Sequence, residues 1–194
     1  MSRSRKVDPE TAIGAAMAAF WKYGYGHLGT RQLEQETGIT RFTLQTTYGG
    51  KMKLYLKALD AYLDDFEQSG LMAAAQSDQE GIARFFEMRG DPDMMPQSSC
   101  NGCFLLNSTI EFSSGNEDVN QRADRYFTML RDRFRRALRR SAHQSTPVQA
   151  FDINAKVEVL LASALGLNVL IRAAGNTGAG REMAASIARM VRAW

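Results

Sequence analysis

Between Ile13 and Val191 the apolar residues recur at intervals of three and four in segment after segment, and no stretch alternates apolar with polar as a half-buried strand would. That period restricts the chain to helices packed on helices, an all-α fold. A first helix is expected to open with Asp8 as its cap and Pro9 at the first helical position, where proline's missing N–H loses nothing. It carries Ile13, Ala16, Met17 and Phe20 on one face and stops near Gly24. Two short helical pieces follow between Thr30 and Tyr48, separated by Thr37-Gly38-Ile39-Thr40. A longer helix then runs from near Gly50 to Ser69, with Leu54, Tyr55, Ala58, Leu59, Tyr62 and Phe66 in one stripe.

Beyond Ser69 the pattern fades through Gln76–Glu80, returns over Ile82–Met88 and breaks in a loop at Gly90-Asp91-Pro92-Asp93, with Pro96 behind it. Phe104–Phe112 is an apolar segment, and a long helix is predicted over Glu117–Ala142 with Val119, Ala123, Tyr126, Leu130, Phe134 and Ala137 inward. After a break at Pro147, two more helices are predicted, over Asp152–Ala174 and Ala179–Ala193, around the glycine-rich Gly175-Asn176-Thr177-Gly178. The first of these is apolar around much of its circumference and needs partners on more than one side. Self-association through both is the natural solution, with Val157, Leu160, Leu161, Ala164, Leu165, Asn168, Ile171, Ile187 and Met190 as the expected contact.

With 194 residues, 44% hydrophobic and 23% charged, the chain has the side chains for a packed core, which excludes a disordered or fibrous protein. No uninterrupted apolar run approaches the roughly 20 residues that cross a bilayer, and Met1–Lys6 is basic and polar, so a cytoplasmic, membrane-free protein is expected. Two cysteines and ten methionines suit a reducing compartment. The net charge of +3 is unevenly placed: residues 1–57 hold nine Lys or Arg against four Asp or Glu, a local charge of +5, which leaves −2 for the remainder. A basic head on a faintly acidic body points to a polyanion at the head.

The stretch Thr30–Tyr48 says which polyanion. Leu33 and Ile39 are core-facing, Gly38 permits the positive φ of a sharp turn, Thr40 caps a second short helix and Leu44 anchors it. Arg41, Thr43, Gln45, Thr46 and Thr47 are left on the exposed side. Arginine and glutamine read base edges bidentately, threonine methyls meet thymine methyls, and hydroxyls suit phosphates. These are the parts of a helix-turn-helix. Phe42 is unusual there: it either packs beneath the preceding helix or touches a thymine methyl. Lys51 opens the next helix, where backbone N–H groups also face phosphate.

The run Ile13, Ala16, Phe20, Gly24-Tyr25, Leu33, Thr37-Gly38-Ile39-Thr40, Leu44, Tyr48, Lys51, Leu54 and Tyr55 resembles the TetR family of transcriptional regulators. Gly102-Cys103-Phe104-Leu105-Leu106-Asn107, followed by an arginine-rich helix and two terminal helices, extends the likeness more loosely. The resemblance implies an N-terminal three-helix DNA-binding domain over residues 1–53 and a helical ligand-binding and dimerisation domain over 54–194. It also implies a homodimer that a small-molecule effector releases from a palindromic operator, with the operator contacted by Thr30, Thr40, Arg41, Phe42, Thr43, Gln45, Thr46, Thr47, Tyr48 and Lys51. The chain departs from the family pattern at Gln45, usually tyrosine, at Met52, usually an acid, and at Leu28-Gly29, usually a threonine or serine pair. The operator sequence therefore cannot be borrowed from relatives.

No cofactor or metal is expected. Cys100-x-x-Cys103 lacks the βαβ setting of a thioredoxin-like pair, and a four-ligand zinc site would need His27 and His143, the first of which sits in the basic head. Cys103 is expected to be buried at a helix start. The arginines Arg131, Arg133, Arg135, Arg136, Arg139 and Arg140 are expected to form a solvated face with local acid partners. No spacing proposes a catalytic triad, so the chain is not expected to be an enzyme. A mostly apolar effector pocket is expected from Tyr62, Phe66, Met88, Phe104, Asn107, Tyr126 and Met129. The alternative is a helical small-molecule-binding or thiol-sensing protein that does not bind an operator.

Overall fold

The computed structural model describes residues 9–142 and 150–194, which form ten α-helices with no strand among the described residues. Asp8, His143 and Pro147 lie outside the described residues. Helices α1 (Pro9–Tyr23), α2 (Thr30–Thr37) and α3 (Arg41–Thr46) make the head, and α4 (Lys51–Glu67) leads from it into the body. The body adds α5 (Gly70–Ala75), α6 (Gln79–Gly90), α7 (Phe104–Phe112), α8 (Glu117–Ala142), α9 (Ala150–Ala174) and α10 (Arg181–Arg192), with short 3-10 turns at Gln97–Asn101 and Thr177–Gly180.

α1 buries Ala12, Ala16, Ala19 and Phe20, while Ile13 and Met17 are only half-buried. The three alanines let α1 lie close along α4, which turns its buried face slightly from the expected one. From there an aromatic column enters the body. Phe20 meets Tyr55 edge-on at 4.9 Å, Tyr55 meets Phe104 at 5.5 Å, and Phe104 meets Tyr62 at 5.9 Å. The Tyr55 hydroxyl donates to Ser108 Oγ at 2.6 Å, and burial pushes its pKa above the ordinary range.

α5 is an element the fading pattern after Ser69 does not predict. It exists because the Ser69 hydroxyl accepts the Met72 N–H and three helix-favouring alanines follow. α6 is capped in the same way by Asp78, whose carboxylate accepts the Gly81 N–H at 2.8 Å. At its far end Gly90 lets α10 come close, since a Cβ there would stand 2.7 Å from the Ala184 methyl. Arg192 clamps the same two helices by bonding both Glu80 and Glu87.

The Arg192 hydrogen bond holds the Glu80 carboxyl below its ordinary pKa. A carboxyl depressed in the folded state stabilises that state above the unfolded value of about 4.3, and the contribution disappears as pH falls through the lower folded value. Thermal midpoints of the parent protein and Glu80→Gln should therefore differ slightly at neutral pH and converge below the carboxylate range. The difference is small because the pair is exposed.

α8 buries Val119, Ala123, Tyr126, Leu130, Phe134 and Ala137 as expected. Its arginines meet acids: Arg122 forks onto Asp60 with two 2.8 Å bonds, Arg131 onto Glu158, and Arg135 onto Asp132. The first two pairs fasten α8 to α4 and α9, and the third lies within α8 itself.

α9 changes two expectations. By length and composition Asp152–Ala174 is apolar enough to cross a bilayer, although Lys156, Glu158 and Arg172 interrupt it. Its bulky face, with Val157, Leu160, Leu161, Ala164, Asn168 and Ile171, is buried in its own protomer, as is Ile187 of α10. Leu165 and Met190 are half-buried. What remains outside is a different stripe, Ala155, Val159, Ala162, Val169, Leu170 and Ala173. The larger side chains went inward because α8 already covers that side.

Candidate nucleic-acid interface

The α2–α3 turn is fixed by local chemistry. The buried Thr37 hydroxyl donates to the Leu33 carbonyl at 2.6 Å and accepts the Ile39 N–H at 3.1 Å. Gly38 takes φ +70°, a left-handed value that closes α2 with its N–H on Glu34 O. Thr40 caps α3: its Oγ1 accepts the Thr43 N–H and shares a 3.0 Å hydrogen bond with the Thr43 hydroxyl.

α3 is thereby presented with Leu44 as its core anchor and Tyr48 buried just beyond its end. Arg41, Phe42, Gln45, Thr46 and Thr47 are exposed, and Thr40 and Thr43 half-buried. Phe42 is 77% exposed, which removes packing beneath α2 as the reason for it. The Thr46 hydroxyl donates back to Phe42 O and keeps its lone pairs outward. Thr30 and Arg31 are exposed at the start of α2, so Arg31 joins the face although its single basic side chain gave no pattern to read.

Lys51 is where the structure departs most from expectation. Its ammonium donates to the Tyr25 carbonyl and lies 4.2 Å from the centre of the Tyr25 ring, and burial lowers its pKa. It therefore fastens the α1–α2 turn to α4. Glu111 of α7 holds the same turn from the body, accepting the N–H groups of Tyr25 at 2.9 Å and Gly26 at 2.6 Å.

Four of the seven expected pocket residues, Tyr62, Phe66, Phe104 and Tyr126, are brought to one place, and Met88, Asn107 and Met129 are not. Tyr62, Phe66 and Tyr126 gather with Cys103 in the core, with Phe66 5.2 Å from Tyr126. Phe104 and Asn107 also line a cleft of about 380 Å³ at the head–body joint, with Phe20, Trp21, His27 and Arg172. Met129 lies in a groove of about 460 Å³ on the arginine face of α8, and Met88 is half-buried on α6. Cys103 is buried and Cys100 half-buried, both as free thiols. No group of three metal-ligating side chains occurs among the described residues.

Residues 93–187 match the family described as Tetracyclin repressor-like, C-terminal domain. The HTH-type transcriptional regulator YezE of Bacillus subtilis is 27% identical over 175 residues, covering 89% of this chain and 90% of that one. The HTH-type transcriptional repressor ComR of Escherichia coli is 26% identical over 120 residues, 60% of this chain and 57% of its own. The fold is shared with the TetR family transcriptional regulator CifR, solved as a cysteine mutant with 26-base-pair operator DNA, at a TM-score of 0.78, 23% identity and full coverage of both chains. The head with its capped α3, the helical body behind it and these likenesses together support a TetR-family transcriptional regulator.

Proposed function

We propose that this chain is a cytoplasmic, ligand-responsive regulator, most simply a repressor, that binds a palindromic duplex operator as a homodimer. The head is residues 1–53 and the ligand-binding and dimerisation body residues 54–194. The observation that carries this reading is the outward face of α3, where Arg41, Phe42, Gln45, Thr46 and Thr47 stand in solvent while Leu44 and Tyr48 hold the helix from behind. An exposed phenylalanine has no folding role there, but it suits contact with a thymine methyl. Thr30, Thr40 and Thr43 place hydroxyls beside the same face for phosphate.

Dimerisation is assigned to the outer stripe of α9 with Met190 of α10. Val159, Val169 and Leu170 are 46%, 48% and 41% exposed, and an apolar stripe of this kind on a long helix calls for a partner. Small residues on the same stripe, Ala155 and Ala162, allow a second helix to approach closely.

Selection of binding sites from genomic fragments, followed by titration at several salt concentrations, tests the reading. Arg41→Ala should weaken binding to the selected site by about 1–3 kcal/mol and relax specificity at one base pair. Lys51→Ala should weaken all sequences alike. It flattens the salt dependence only if the ammonium leaves Tyr25 for a phosphate. Absence of salt-dependent binding to any selected duplex would leave the non-operator alternative standing.

A further inference from the structure

Arg89 is the only charged side chain in the core among the described residues, with 6% of its surface exposed. Its Nε donates to Asn168 Oδ1 at 3.0 Å, and its Nη2 to the same oxygen at 2.6 Å and to the carbonyls of Ser99 and Gly102 at 3.1 Å. All of these acceptors are neutral. Nη1 is buried with no acceptor at all. A buried cation without an anion is costly, and so is an unmet donor on it.

The groups that face Arg89 are proton donors. Tyr62, Tyr126 and Cys103 lie within its electrostatic reach, and burial holds the two phenols in their neutral form. The Trp21 ring stands 5.1 Å from Tyr62, and its indole N–H is the other buried donor without an acceptor. These donors belong to a core in which no carboxylate is buried among the described residues. Asn168, expected at a dimer contact, instead positions the guanidinium, since its amide donates to Ala164 O and turns its oxygen to Arg89.

We infer that Arg89 anchors an effector site for a small organic monocarboxylate, with the Tyr62 and Tyr126 hydroxyls as further donors and aromatic rings around the apolar tail. A monoanion matches the single guanidinium, and the rings of Phe66 and Phe104 beside Tyr62 favour an apolar tail over a phosphate dianion. Phe66 is the least buried of these rings. The occupant touches α1 through Trp21 and α4 through Tyr62, the two long helices that carry the head. This deepens the regulatory reading and rests on it.

Calorimetric titration of the full-length protein with benzoate and butyrate, against benzamide and butyramide as uncharged counterparts, tests the site. The carboxylates should bind about tenfold or more tightly than the amides. Arg89→Gln should abolish that preference. Tyr126→Phe, which removes one oxygen and keeps the ring, should reduce it severalfold and serves where Arg89→Gln does not fold. Equal binding of acid and amide, or none of either at millimolar concentration in a protein that still binds its operator, overturns the inference. A carboxylate preference without operator binding would uphold the site and refute the regulator.

Discussion

Val169→Glu should split the dimer while leaving each protomer folded, whereas Leu161→Glu on the same helix should unfold the protomer itself. Leu161 is 5% exposed and packs inside its own chain, so a glutamate there loses a buried leucine, which costs about 2–5 kcal/mol, and strands a carboxylate in apolar surroundings. Against a total stability of about 5–15 kcal/mol the folded state does not survive comfortably. Val169 is 48% exposed, so its replacement is harmless until a second α9 closes over it. The charge is then buried without a partner at the centre of the interface. Sedimentation should show a monomer for Val169→Glu with parental circular dichroism, and operator affinity should collapse because the two heads no longer bind as a unit. A soluble parent protein that sediments as a monomer at micromolar concentration would refute the assignment of this face.

The contrast between those two positions shows where sequence reading reaches its limit. Periodicity made α8 legible down to six of its seven buried residues among those described, Leu138 being the other, because one side faces the core and the other water. α9 is apolar nearly all round, and no local pattern says which side α8 covers. That choice depends on how the two helices cross. The bulky valines and leucines suit an intersubunit seam by composition, but the structure buries most of them in the protomer. α5 escaped because six residues make under two turns, too few to show a period.

The DNA-facing head was legible because it is local. Gly38, Thr40 and Leu44 act on neighbours within a few residues, so their types and spacing carried the geometry. The polar island of the core was not, because Arg89 draws its partners from Ser99, Gly102 and Asn168, and chain-distant groups leave no spacing to recognise. Lys51 falls between the two cases. Its place at the start of α4 was evident, but its partner Tyr25 comes from the turn before α2.

Removing Arg172 and Glu111 together should weaken operator binding by about a hundredfold while leaving the dimer and its helices intact. The sequence suggests α4 as the only long connection between head and body, but the structure adds two others. Arg172 of α9 donates to the Trp21 and Lys22 carbonyls at the end of α1 and to Asn101, and Glu111 of α7 receives the backbone N–H groups after it. Together with the Tyr55–Ser108 bond, they set the angle at which each head leaves the body. Two heads must enter major grooves roughly 34–36 Å apart, so a wider range of angles lowers the share of dimers with the right spacing. Each ionic side chain should contribute about 1–2 kcal/mol, less for the more exposed Glu111. Because the loss arises from positioning and not from contact, it should fall equally on specific and altered operators with the same half-site spacing and leave the salt slope unchanged. Operator titration with half-site spacing varied by single base pairs checks this: the double variant should show a flatter dependence on spacing than the parent, and an unchanged dependence would mean that α4 alone sets the geometry.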